Sequence, residues 1–279
     1  MPIERPQVDL RLAMNAVSDV VENRPRPLRQ FDQIYMKSGD MLRQGEVVAS
    51  WADGKKLAFI GDGDGISLTV AHLMKLKFFT YGPTSISVFD FDERIINSVK
   101  RFAARQQIET LHANLYNAAD GFPETGEYDC FYTNPPWGQH SDGESVAVFV
   151  QRGMEAIGYQ GQGMVVIADD DDPKVEWPQR VLYTTQTFAL SKEFYVSRMM
   201  PRESLYHLYD EHALIPSCNV VLSSLPNGER KFRSEPIEAE RRANFYGRGQ
   251  PLEYRYIKER ARPDYGRAME CEYELERMD

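Results

Sequence analysis

Short apolar runs alternate with amphipathic stretches through the middle of the chain. The apolar runs predict buried strands at residues 56–61, 85–91, 110–115, 128–133 and 163–168. Helical periodicity between them predicts helices at residues 66–78, 93–106 and 145–159. Strands and helices that alternate at this spacing form βαβ units, which build a mostly parallel sheet with helices on both faces. The pattern therefore predicts an α/β domain of Rossmann-like type.

The residues before this domain predict two helices. Residues 8–23 place Leu10, Met14, Val17 and Val20 on one stripe, and prolines 25 and 27 end the helix. A second helix is predicted at about 38–50. We therefore divide the chain into a short helical N-terminal preface at 1–53, a catalytic domain at 54–225 and a C-terminal extension at 226–279.

The end of the chain carries weaker signals. A helix near 178–190 and strands near 193–199 and 217–224 complete the predicted domain, with the order of the last two strands left open. After Pro226 the chain is charged and poor in aliphatic residues, so 226–279 is expected to be loosely packed or extended. The aromatic residues that could dock it are Phe245, Tyr246, Tyr254 and Tyr256.

Composition restricts the class of protein. The 279 residues are 42% hydrophobic and 27% charged, as in ordinary globular proteins. The net charge of −9 disfavours a nucleic-acid partner, although it does not exclude one, and suits a small cationic substrate. Three scattered cysteines predict neither a metal site nor a disulfide framework. Without an apolar leader or span, a cytoplasmic protein with no membrane partner is expected, and a homodimer stays open.

A glycine loop follows the first predicted strand of the domain. Gly61, Gly63 and Gly65 alternate with Asp62 and Asp64, between a strand and a helix. Such glycines let the backbone approach a bound nucleoside closely. The two acids would repel a pyrophosphate but suit a sulfonium cation, which favours S-adenosylmethionine or a relative over a dinucleotide. A tight turn without a ligand is the alternative, and Asp64 alternatively caps the helix.

Polar residues also follow the next two strands. Asp90 is assigned to the two ribose hydroxyls of a nucleoside, because a carboxylate accepts both hydrogen bonds. Asp92 is assigned to the N-terminus of the following helix as its cap. Asn114, at the end of the third strand, is predicted to reach the adenine edge, with a surface role as the alternative.

The fourth strand runs into Asn134-Pro135-Pro136-Trp137. Two prolines make the turn rigid, so that the Asn134 side-chain oxygen and the Pro135 carbonyl are predicted to converge on an amine. Trp137 would stack on a base or attract a cationic amine chain. This arrangement aims an amine lone pair at the carbon bound to a sulfonium. A structural Asn-Pro turn is the alternative.

Several of these segments resemble known enzymes. The turn resembles the Asn/Asp-Pro-Pro-aromatic motif of amino-directed class I methyltransferases. More of the chain, roughly 20–225, resembles the N4-bis(aminopropyl)spermidine synthase family. The similarity rests on residues 24–27 (RPRP) with 31–33 (FDQ), 61–67 (GDGDGIS), 89–94 (FDFDER) and 149–153 (FVQRG). Gly63 and Asn134 stand where that family has aspartates.

The resemblance implies a class I S-adenosylmethionine-dependent transferase fold and aminopropyl transfer from decarboxylated S-adenosylmethionine to a polyamine. Asp64 would then be the base that accepts the amine proton. Asp32 and Gln33 would close over the donor, or alternatively cap the second helix. An S-adenosylmethionine-dependent N-methyltransferase acting on a nucleobase or other amine, and a non-catalytic nucleoside-binding protein, are the two alternatives.

Overall fold

The computed structural model describes residues 9–170, 172, 174–207, 214–226, 234–261 and 271–278. Its helices are α1 Leu10–Asn23, α2 Ser38–Trp51, α3 Ile66–Lys75, α4 Glu93–Gln106, α5 Glu144–Ala156, α6 Trp177–Ser191 and α7 Ala239–Ala243. The strands are β1 Tyr35–Met36, β2 Lys56–Ile60, β3 Ser85–Asp90, β4 Leu111–Leu115, β5 Cys130–Thr133, β6 Gln162–Ala168, β7 Phe194–His207, β8 Leu214–Ser224, β9 Tyr254–Ala261 and β10 Glu272–Arg277. No helix in these ranges has the length and apolar character needed to cross a membrane.

Eight strands form one sheet in the order β1-β7-β8-β6-β5-β2-β3-β4. The five adjacent strands β6, β5, β2, β3 and β4 run parallel to one another. Strands β8, β7 and β1 are antiparallel to their neighbours. The predicted Rossmann-like fold is confirmed, and the structure supplies the order of the last two long strands. The carboxyl ends of β2, β3 and β5 meet where the strand order reverses, which is the place where open α/β sheets bind ligands.

Two predicted helices end earlier than their hydrophobic patterns suggested. The chain leaves α3 after Lys75, and Lys77 has a left-handed φ of 63°. It leaves α5 after Ala156, with Gly158 and Tyr159 at φ of 58° and 59°. Left-handed residues terminate a helix because its hydrogen-bond ladder cannot pass through them. Apolar residues beyond these points pack against the core from the connecting loops.

The N-terminal helices contribute to the main core. Asp9 caps α1 by accepting the N–H groups of Arg11 and Leu12. Val17 and Val20 are buried as predicted, whereas Leu10 is 65% exposed and does not belong to the buried stripe. Leu10 is the first residue of α1, at the end of the helix that extends past its contacts with α2, α3 and α4. Residues 1–8 of the predicted preface lie outside the described residues.

The C-terminal extension is packed rather than loose where the structure describes it. Phe245, Leu252 and Ile257 are almost fully buried. β9 and β10 form an antiparallel pair, here called the C-terminal hairpin, and the Ile257 N–H donates to the Phe91 carbonyl next to β3. The charged composition suggested a loose segment, whereas Phe245, one of the aromatic residues named as possible docking positions, is buried.

One buried arginine anchors the start of this extension. Arg152 in α5 is fully buried, and its Nε donates to the Ala118 carbonyl at 2.8 Å. Its guanidinium also donates to the Glu235 carbonyl at 3.0 Å and pairs with Glu155 at 2.7 Å. The extension is therefore joined to the loop after β4 through hydrogen bonds that are shielded from water, where an unpaired partner would be costly.

A glycine in α5 permits close packing of this helix against the sheet. A Cβ atom at Gly153 would lie 2.2 Å from the buried Phe131 ring. Gly153→Ala should therefore lower the free energy of unfolding by about 1–3 kcal/mol, measured by urea denaturation. Gly39→Ala in α2 is the matched control, because an added Cβ there meets nothing within 4 Å. An unchanged or higher stability of Gly153→Ala would contradict this packing.

Candidate functional site

A cleft opens at the carboxyl ends of β2, β3 and β5. It encloses about 850 Å³, including space that is open to solvent. Four acidic residues line it, Asp32, Asp62, Asp64 and Asp90, together with Asn134. The rest of the wall is largely aromatic and includes Phe31, Tyr35, Phe91, Tyr116, Trp137, Phe149, Phe245 and Tyr246. The cleft thus combines negative charge with ring faces, which together attract organic cations.

Two glycines with left-handed backbone and the Asp62 carboxylate determine the shape of the glycine loop. Gly61 and Gly65 have φ of 76° and 73°, a region that side chains with Cβ disfavour. Asp62 accepts the Ile66 N–H at 2.9 Å and the Ser67 hydroxyl, so it caps the start of α3. Burial raises the pKa of Asp62 well above its usual range. The acid that caps this helix is therefore Asp62, and the alternative cap role for Asp64 is not observed.

Asp64 faces the Asn-Pro-Pro turn. Its Oδ1 accepts the Met36 N–H at 2.7 Å, and its Oδ2 accepts the Asn134 Nδ2–H at 2.7 Å. Burial raises the pKa of Asp64, while the Met36 N–H and the nearby Arg24 guanidinium act in the opposite direction. The result is an oriented carboxylate in a dry environment with an increased affinity for a proton, as a general base requires.

The turn is held together by its own side chains. The Trp137 indole N–H donates to the Asn134 Oδ1 at 3.1 Å, and its ring meets Tyr206 edge to face at 4.9 Å. The predicted acceptor oxygen of Asn134 is therefore already engaged. A carbonyl oxygen has two lone pairs, so one lone pair is left for an amine beside the predicted Pro135 carbonyl. Asn134 consequently links the Asp64 carboxylate to the aromatic wall.

Asp90 lies in the cleft at the end of β3. Its Oδ2 accepts the Asp62 N–H at 3.0 Å, and its Oδ1 accepts the Asp92 N–H at 2.9 Å. Burial and the neighbouring Asp92 raise the pKa of Asp90 to about 7. The remaining lone pairs match the two hydroxyls of a ribose. Asp92 caps α4 through the Arg94 N–H at 3.0 Å, which confirms the role assigned to it.

Asn114 is not brought to the cleft. It lies inside β4 in register with Phe89, whereas Asn117, three residues further on, lines the wall. Asn117 donates to the Arg255 carbonyl at 2.6 Å and accepts the Ala119 N–H, so it also fixes the C-terminal hairpin. The sequence signal was present, because β4 ends at Leu115 and the first asparagine beyond its end is Asn117.

Asp32 and Gln33 both reach the site and clamp two of its loops. Asp32, with a left-handed φ of 57°, accepts the Trp137 backbone N–H at 3.1 Å. Gln33 donates to the Asp92 carboxylate at 3.1 Å. Burial raises the pKa of Asp32. The alternative role as a cap of α2 is not observed, because its N-cap position is Lys37, which makes no side-chain cap bond.

The sequence analysis missed three groups of cleft residues. Tyr35 comes from the two-residue strand β1, which is too short for a periodic signal. Tyr116 and Phe149 are apolar positions that resemble ordinary core residues. Phe245, Tyr246 and Leu252 come from the C-terminal extension, which had been proposed to dock through the first two. Only the folded chain brings these distant positions to one wall.

Comparisons with known proteins agree with this geometry. N(4)-bis(aminopropyl)spermidine synthases from Methanocaldococcus jannaschii and Thermococcus kodakarensis are 26% and 27% identical over about half of this chain. Those alignments span 38% of the length of each enzyme. The crystal structure of the branched-chain polyamine synthase from Thermus thermophilus, solved with N4-aminopropylspermidine and 5′-methylthioadenosine, superposes with a TM-score of 0.67 at 19% identity. That superposition covers 82% of this chain and 67% of the other.

The match to a family model covers most of the chain. The model describes the C-terminal domain of branched-chain polyamine synthase A, and it matches residues 13–221. This range begins in α1, includes every strand of the main sheet up to β8, and contains the glycine loop and the Asn-Pro-Pro turn. The chain belongs to the branched-chain polyamine synthase A C-terminal domain family.

Proposed function

We propose that this protein transfers an aminopropyl group from decarboxylated S-adenosylmethionine to an amine nitrogen of a polyamine. The observation that carries the proposal is the contact between Asp64 and Asn134 inside a cleft lined by four carboxyl groups. Membership of the family supports it, and so does the polyamine synthase structure with its bound polyamine and thioether nucleoside.

The cleft has a half that would bind the donor nucleoside and a half that would bind the acceptor amine. Gly61 and Gly63 allow the donor nucleoside to approach the backbone, and Asp90 accepts hydrogen bonds from its ribose. The acidic wall stabilises the sulfonium and the terminal ammonium of the donor. Trp137 and its aromatic neighbours receive the alkyl-ammonium chain of the acceptor through cation–π attraction.

The chemical step is a displacement at carbon. The amine lone pair forms a bond to the propyl carbon next to sulfur, and the carbon–sulfur bond breaks with its electrons going to sulfur. The sulfonium thereby becomes the neutral thioether 5′-methylthioadenosine, and the attacking nitrogen gains a positive charge. Asp64 accepts the proton that a primary or secondary amine must release. Asn134 keeps the Asp64 carboxylate in position during this transfer.

The charge of the cleft distinguishes the two candidate donors. S-adenosylmethionine carries a carboxylate, which the acidic wall repels, whereas the decarboxylated form carries only cationic groups. Decarboxylated S-adenosylmethionine should therefore bind at least about tenfold more tightly in isothermal titration calorimetry, a difference of about 1.4 kcal/mol. Tighter binding of S-adenosylmethionine, with methyl transfer to an amine, would instead identify the protein as an N-methyltransferase.

Asp64 should matter for turnover more than for nucleoside binding. Asp64→Asn should lower kcat about 10²–10⁴-fold, because the variant cannot accept the amine proton. Its Kd for 5′-methylthioadenosine should stay close to that of the wild type. Asp142→Asn is the control, because Asp142 is exposed and its left-handed φ of 51° tolerates asparagine. Equal turnover by wild type and Asp64→Asn would exclude Asp64 as the base.

Nucleoside binding should depend on pH through Asp90. The pKa of Asp90 is raised to about 7, so its carboxylate becomes protonated as the pH falls through that value. A protonated carboxyl cannot accept hydrogen bonds at both oxygens equally, and the Kd for 5′-methylthioadenosine should rise below pH 7. Asp90→Asn should bind weakly with little pH dependence. A wild-type affinity that is constant across pH 7 would contradict the ribose assignment.

A further inference from the structure

A buried ion pair stands behind the cleft and has no part in the chemical step. Arg94 and Asp92 have side chains that are 1% and 0% exposed. Arg94 binds Asp92 with both arms of its guanidinium, at 2.9 Å from Nε to Oδ1 and 2.5 Å from Nη2 to Oδ2. A buried ion pair contributes little net stability, because desolvation offsets the attraction between its charges. Its two-armed geometry does restrict the position of each partner.

This restriction reaches the donor half of the cleft through one residue. The Asp92 N–H donates to Oδ1 of Asp90, the predicted ribose ligand, at 2.9 Å. The only other hydrogen bond shown for the Asp90 carboxylate among the described residues comes from the Asp62 N–H. Two backbone N–H groups hold the Asp90 carboxylate, so a shift of Asp92 would change the direction in which this carboxylate points.

The same ion pair also joins the two chain segments outside the central βα units. From the N-terminal side, the Arg26 carbonyl accepts from Arg94 at 3.2 Å, and Gln33 donates to Asp92. From the C-terminal side, Tyr273 of the C-terminal hairpin places its ring 4.8 Å from the guanidinium carbon of Arg94. Segments far apart in sequence therefore meet at this one guanidinium.

We infer that Arg94 is a positioning residue for donor binding. Paired with Asp92, it fixes the Asp90 carboxylate and holds the N-terminal segment and the C-terminal hairpin around it. The inference rests on the proposed function only in assigning Asp90 to the donor nucleoside. It predicts that nucleoside affinity depends on the fork shape of the Arg94 side chain as well as on its charge, because lysine offers a point charge instead.

The test is Arg94→Lys in the full chain, with 5′-methylthioadenosine as the probe. The Kd should rise about tenfold, the size expected when a charge-assisted hydrogen bond is lost. The KM for the polyamine should stay within about twofold, since the acceptor half is untouched. Arg101→Lys is the matched control, because Arg101 also binds a carboxylate with two arms, that of Glu259 in the hairpin, but does not touch Asp92. It should leave the Kd unchanged.

A second pair of variants keeps the test decisive if Arg94→Lys does not fold. Tyr273→Ala removes the ring over Arg94 from a position that is 38% exposed, and it should raise the Kd two- to threefold, a modest loss of cation–π contact. Tyr195→Ala, at a strand position that is 43% exposed, should have no effect.

Three outcomes would overturn the inference. Arg94→Lys or Tyr273→Ala could bind the nucleoside like the wild type, or Arg101→Lys could weaken binding as much as Arg94→Lys. The last result would show that general docking of the hairpin matters and the ion pair does not. Failure of the wild type to bind 5′-methylthioadenosine would contradict the proposed function itself, and the inference with it.

Discussion

The carboxyl groups buried at the carboxyl edge of the sheet are the constraint on which the structure of the cleft depends. Asp32, Asp62, Asp64 and Asp90 all have a pKa raised by burial, so each is costly to ionise where it lies. Backbone N–H groups from Trp137, Ile66, Met36 and Asp92 offset that cost. A cationic ligand lowers the cost further, because it restores the stabilisation that water would have given. A positive charge placed beside these carboxyl groups would therefore stabilise their ionised form.

Asn134 is easily understood against this background. It donates to Asp64 at 2.7 Å, a separation at which a second carboxylate would repel the first. An amide can donate with one end and accept from Trp137 with the other, so it orients the Asp64 carboxylate without adding a negative charge. The chain described here uses a neutral side chain.

The sequence predicted local features well and distant contacts poorly. The parallel strands, the helix starts at Ile66 and Glu93, and the cap at Asp92 follow from patterns within a dozen residues. Leu10 was misplaced because periodicity does not show which surface a helix packs against. Asn114 was misplaced because it lies inside β4, whereas Asn117 beyond the end of the strand lines the cleft. Phe245 and Leu252 were not assigned to the cleft wall because their partners lie far away in the chain. Helix caps and turns depend on neighbouring residues, whereas the wall of the cleft depends on contacts between residues that are far apart in the chain.

The two-residue strand β1 affects the stage of folding at which the hydrogen bonds around Asp64 are completed. Met36 pairs with Tyr206 across the edge of the sheet, and the Met36 N–H then donates to Asp64. Contacts between residues so distant in the chain carry a large loop-closure entropy and tend to form late in folding. A chain with its central βα units already assembled would hold the glycine loop but lack the Met36 N–H that orients the Asp64 carboxylate. The full set of contacts to Asp64 is therefore complete only when β1 joins the edge of the sheet.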